Sequence, residues 1–138
     1  MAVLYGEQQT LVNAGTTLDP GMANGTVRCF VEEITLASQG TSDTIVIGTL
    51  PKGCIPLYGV MNNSATLGGT ATVAIGITGT TGKYRAAATK TSTVPEVFGV
   101  TAGIGDPLAA DETVFITIAA AALPSSGTLR VMMFYTFN

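Results

Sequence analysis

"ATVAIGITGTTGKYRAAAT", residues 71–89, admits two readings, and the choice between them decides the fold. Glycines and threonines running into Lys83 suggest a phosphate-cradling loop. Such a loop needs glycine five positions before the Gly-Lys pair and Ser or Thr directly after it. Ile77 and Tyr84 stand at those positions, so both requirements fail. The alternative is a hairpin. Val73, Ile75 and Ile77 alternate with Thr72, Ala74, Gly76 and Thr78, as a strand with one buried face requires. "GTTG" (79–82) then serves as a flexible loop, and Tyr84 begins the return strand.

The same period of two recurs along the chain. "VRCFVEEITL" (27–36) places Val27, Cys29 and Val31 on one face, with Ile34 and Leu36 in the opposite phase. Glu32 and Glu33 sit where the phase slips, which predicts a β-bulge. "TIVIGTL" (44–50), "IPLYGVMN" (55–62), "TVFITIA" (113–119) and "TLRVMMFYTF" (128–137) read as strands rich in β-branched and aromatic residues. Two weaker strands, about 83–88 and 96–100, bring the number to eight. Turns fall at "ASQGTSD", "LPKG", "NNSATLGG", "GIGDP" and "LPSSG". Helix signals are nearly absent, since "AAAA" (119–122) meets Leu123-Pro124 at once. The expectation is an all-β protein: an antiparallel β-sandwich, jelly-roll-like, spanning 27–138. Periodicity does not reveal the strand order. Residues 1–26 differ, with short apolar patches at Val3-Leu4-Tyr5 and Leu11-Val12 between polar residues. They read as an extended N-terminal arm that docks on a neighbour.

Composition points to a surface that is covered. Hydrophobic residues make up 46% of the chain and charged residues 11%, well below the usual quarter. A compact domain of this length exposes roughly 6,700 Å², or about 450 Å² per charge. Threonine, at 22 residues, keeps part of that surface wet. The sharper reading is that companion subunits hide much of it. Strands 71–78 and 113–119 carry no charge at all, so they should be central in a sheet or covered. Phe134, Tyr135 and Phe137 occupy both faces of the last strand, so at least one faces away from its own core. The candidate subunit or shell interface is therefore Val3, Leu4, Tyr5, Leu11, Val12, Tyr84, Arg85, Phe134, Tyr135 and Phe137.

Several function classes find no support. The net charge is −3 with six scattered basic residues, which gives no footprint for nucleic acid. Every apolar run is broken well before about 20 residues, so no membrane-spanning helix is expected. The N-terminus shows no secretory signal, which suggests assembly in a cytoplasm. There is no histidine, hence no usual general base or metal ligand. Cys29 and Cys54 form no CxxC pattern and read as free buried thiols, a bridge between the two being the alternative. Adjacent Glu32 and Glu33 point to opposite faces of a regular strand, unlike a glycosidase pair. Asp106, Asp111 and Glu112 lack EF-hand spacing. No catalytic, metal or cofactor residues are nominated, and an enzyme is not expected.

The stretches "DTIVIGTLPKGCIPLYGVM" (43–61), "ATVAIGITGTTGKYRAAAT" (71–89) and "LRVMMFYTFN" (129–138) resemble small structural proteins of tailed bacteriophages. The group they resemble most is the capsid decoration, or cement, family of head-stabilising proteins. That resemblance implies a β-sandwich bound to a shell of major capsid protein, as a homo-oligomer, with a trimer favoured. It implies a place on the capsid surface of the virion and supplies no catalytic residue. The competing expectations are a neck, tail or fibre component and, further off, a carbohydrate-binding β-sandwich.

Overall fold

The computed structural model describes residues 13–15, 26–99 and 106–137. These contain eight strands: β1 (Arg28–Thr35), β2 (Thr44–Leu50), β3 (Cys54–Asn63), β4 (Thr72–Ile77), β5 (Thr80–Ala88), β6 (Glu96–Gly99), β7 (Glu112–Ala119) and β8 (Thr128–Phe137). They form two four-stranded antiparallel sheets, ordered β1-β8-β3-β6 and β2-β7-β4-β5. The chain changes sheet at every connection except the β4–β5 hairpin. This is the two-Greek-key arrangement of a jelly roll. The uncharged stretches 72–77 of β4 and 113–119 of β7 lie in the two central strands of their sheet, where both ladder edges are paired. No helix among the described residues is long and apolar enough to cross a membrane.

The core lies between the sheets. One sheet contributes Ile34, Met61, Phe98, Leu129, Val131 and Met133. The other contributes Ile47, Leu50, Val73, Ile75, Tyr84, Val114, Ile116 and Ile118. Strict alternation in β7 and β8 produces this: Val114, Ile116 and Ile118 face Leu129, Val131 and Met133 across the sandwich while their neighbours point out. Leu36, Leu67 and Leu123 plug the loops, held by backbone bonds to Gly127, Lys90 and Gln39. Gly59 faces the Phe98 ring so closely that a β-carbon there would overlap it.

Three local expectations are corrected. β1 pairs with β8 residue for residue from Arg28 to Thr35, with no bulge at Glu32-Glu33. Its inner face is Phe30, Glu32 and Ile34, continued by Leu36, so Val27, Cys29 and Val31 point away from the core. The turn between β4 and β5 is Thr78-Gly79, with Gly79 at φ 82°, rather than the whole of "GTTG". Residues 80–82 already belong to β5, which bulges against β4 on both sides of the Ile75–Arg85 pair. The bulged chain passes directly over Gly76. The two cysteines are free: Cys54 is buried, as expected, and Cys29 is exposed.

Candidate functional site

Tyr84 and Arg85, two of the expected interface residues, lie inside the molecule. Tyr84 is 2% exposed and belongs to the core cluster. Its hydroxyl donates to one carboxylate oxygen of Glu112, and Lys83 pairs with the other. Lys83 is thus committed to an internal carboxylate. Arg85 is also buried and reaches from β5 to Glu96 on β6, tying the edges of the two sheets together. Tyr84 and Arg85 are thus held by their own fold and nearly closed to solvent.

Burial, then the hydrogen bond from Tyr84 to Glu112 and the charge of that carboxylate, pushes the Tyr84 hydroxyl far above its ordinary value of 10.0. Burial, then the Glu112 charge, also raises the Cys54 thiol above its usual 9.0. A raised folded-state value means that the unfolded chain releases its proton first. The stability that neutral Tyr84 supplies is therefore complete below pH 10 and is lost as pH climbs beyond it. The melting temperature is expected to fall steeply above about pH 10, and Tyr84→Phe should flatten that slope, even if it melts lower at neutral pH. Thermal scans from pH 8 to 11 check this.

The C-terminal aromatics divide between two faces. Tyr135 and Phe137 are half-buried against the core, with the Arg28 guanidinium 5.1 Å from the Phe137 ring centre. Phe134 faces outward and stacks on Tyr58 of β3 at 4.9 Å. Val3, Leu4, Tyr5, Leu11 and Val12, with nearly all of the arm, lie outside the described residues.

Phe134 belongs to a larger feature. Ladder register aligns Val31, Met132, Val60 and Val97 in one row across all four strands β1, β8, β3 and β6. The next row is Cys29, Phe134, Tyr58 and Gly99. Neither row contains a charge. Both lie on the outer face: on β3, β6 and β8 each residue alternates with a buried one, and on β1 Cys29 and Val31 take the phase opposite to Phe30 and Ile34. Val27 is 57% exposed, Val31 51%, Tyr58 42% and Val97 69%. The third row changes character: Glu33, Arg130 and Asn62, with Glu33 and Arg130 ion-paired in solvent. Beside it lies a shallow polar hollow lined by Asn63, Ser64 and Thr128 as well. The face is thus an apolar strip with a neutralised polar rim, the anatomy of a contact surface.

The opposite sheet differs on its outside. Its rows are Thr44, Thr117 and Ala74, then Val46, Phe115 and Gly76, then Thr49 and Thr113. Thr44, Thr49 and Thr113 are exposed there, the Thr117 hydroxyl is buried, and one narrow apolar row runs between them. The sequence reading found Phe134 but missed the face around it. Its signal was present in 27–36, where both phases are apolar. Such a strand sets one apolar row toward the core and a second one outward. Among the described residues, no three His, Cys, Asp or Glu side chains gather as a metal site would require.

No protein-family model matches the chain, and no curated protein is similar to it in sequence. Its fold is shared with chains in three solved structures. A chain from the capsid asymmetric unit of cyanophage Pam1 is 22% identical, with a TM-score of 0.61 over 83% of this chain and 86% of that one. A chain from the capsid of Ralstonia phage GP4 is 21% identical, with a TM-score of 0.63 over 84% and 86%. A chain from the acid-stable capsid of Helicobacter pylori bacteriophage KHP30 is 9% identical, with a TM-score of 0.62 over 81% and 88%. At such identities the likeness is one of fold.

Proposed function

We propose that this chain is a structural virion protein that binds the outside of a bacteriophage capsid and stabilises the head. The observation that carries the reading is the uncharged outer face of the β1-β8-β3-β6 sheet, an apolar surface on a protein otherwise built to be rigid. The jelly-roll fold, matched over more than four-fifths of the chain by chains from three phage capsids, supports it. So does the fate of the polar groups that resembled chemistry, since Lys83, Tyr84, Arg85 and Glu112 are spent on holding the sheets together. The partner is a major capsid protein, the chain acts as a homo-oligomer (a trimer favoured), and no cofactor or catalytic step is involved.

Purified protein is expected to bind decoration-free heads of its phage saturably, at a fixed ratio to the shell subunits, and to raise their resistance to heat. Co-sedimentation and electron microscopy measure both. Binding confined to necks or tails would favour another virion part, and absence of binding would overturn the reading.

A further inference from the structure

We infer that the outer face of the β1-β8-β3-β6 sheet is the surface this chain lays against the shell, with the threonine-lined face of the other sheet turned to solvent. The inference rests on the decoration reading and adds the orientation to it.

Three observations lead there. The first is the difference between the two outsides. One presents two uncharged rows running across four strands, and the other presents the exposed Thr44, Thr49 and Thr113 on either side of a single apolar row with Val46. A molecule sandwiched between a protein surface and water needs such a pair of unlike faces. The second is size. Four strands about 4.8 Å apart, over some five residues at about 3.4 Å each, give a patch of roughly 330 Å². That lies within the range of apolar patches that mark binding sites, yet is less than half of the ~800 Å² each partner contributes to a stable complex. Two free copies joined only through it would not hold together. Contacts of this size become strong when many are made at once, which a shell of identical sites provides to an oligomer. The third is the boundary. Glu33 and Arg130 neutralise each other along one side of the strip, so the rim tolerates water and repels neither sign of charge.

The occupant is therefore a flat, uncharged apolar surface repeated over the shell. Val31, Val97 and Tyr58 are the projecting contacts, and the half-buried Met132, Val60 and Phe134 form the floor between them.

Cys29 lies within the strip and supplies a native reporter. It is exposed, whereas Cys54 is fully buried, so a maleimide added to the folded chain should label Cys29 alone. On decoration-free heads, bound chain should be alkylated at Cys29 at least about tenfold more slowly than free chain. The double variant Val31→Glu with Val97→Glu should bind heads about 100-fold more weakly, since two charges would be buried without partners. Val46→Glu, at a valine 58% exposed on the other sheet, should bind within about twofold of the unaltered chain. Circular dichroism confirms that each variant is folded, and the alkylation test uses the unaltered chain. If the chain binds heads while Cys29 stays as reactive as in solution, this orientation is wrong and the decoration reading survives. If the unaltered chain does not bind heads, both fail. If Cys29 becomes protected in free chain as concentration rises, the face pairs with a second copy and the inference is overturned.

Discussion

Replacing Arg85 with methionine is expected to destabilise the protein by about 3 kcal/mol, the low end of the cost of breaking a buried ion pair. Arg85 Nε donates to Glu96 at 2.7 Å, and the guanidinium also donates to the carbonyls of Val73, Ala88 (3.2 Å) and Thr89 (3.3 Å). Methionine fills much of the volume but leaves those carbonyls without their donor. The Glu96 side chain is 39% exposed and can recover water, which keeps the penalty from the top of the range. Arg85→Lys should recover only part of the loss, because an ammonium cannot reproduce the planar fork. Arg130→Met is the contrast, since its pair with Glu33 has both side chains about half exposed and should contribute less than about 1 kcal/mol. Urea unfolding curves of the four proteins measure this. Equal losses at Arg85 and Arg130 would show that the link between the sheet edges carries no special stability.

Gly76→Ala is expected to cost about 3 kcal/mol, the upper end for overpacking. A β-carbon at Gly76 would overlap the backbone of Thr80 and Thr81, where β5 bulges across β4. A side-chain obstacle can rotate away, but a backbone in a paired strand cannot without losing its ladder bonds. The hairpin would have to shift register, displacing Tyr84 and Arg85 with it. Gly99→Ala is the control, because nothing lies within 4 Å of the added carbon, and it should stay within about 0.5 kcal/mol. Denaturant midpoints and amide exchange in β4 and β5 measure the difference. A Gly76→Ala protein as stable as the Gly99→Ala protein would mean that the bulge yields easily.

Strand positions were legible because alternation is local. The stretches 44–50 and 128–137 are the observed β2 and β8, and β7 begins one residue earlier than read, at Glu112. The partners of those strands were not legible, since β1 meets β8 across nearly the whole domain and no short window carries that information. Period two also does not say which phase faces the core. In 27–36 the outward set, Val27, Cys29 and Val31, is as apolar as a core set. A bulge was therefore inferred to reconcile it with Ile34 and Leu36. Arg85 was misplaced for a different reason. Arginine is seldom buried without a partner, and Glu96, eleven residues away, becomes its partner only once the two sheets have closed. The same holds for Tyr84, whose acceptor Glu112 comes from β7.

The position of β8 between β1 and β3 has a consequence for synthesis. The other seven strands leave the ribosome before it, and β1 has no ladder partner until it arrives. Nascent chains therefore cannot close this sheet as they emerge, and contacts so distant in sequence form slowly. During that interval the apolar faces of β1 and β3 are open to misassociation, which makes the yield of folded protein sensitive to chaperones and to expression temperature.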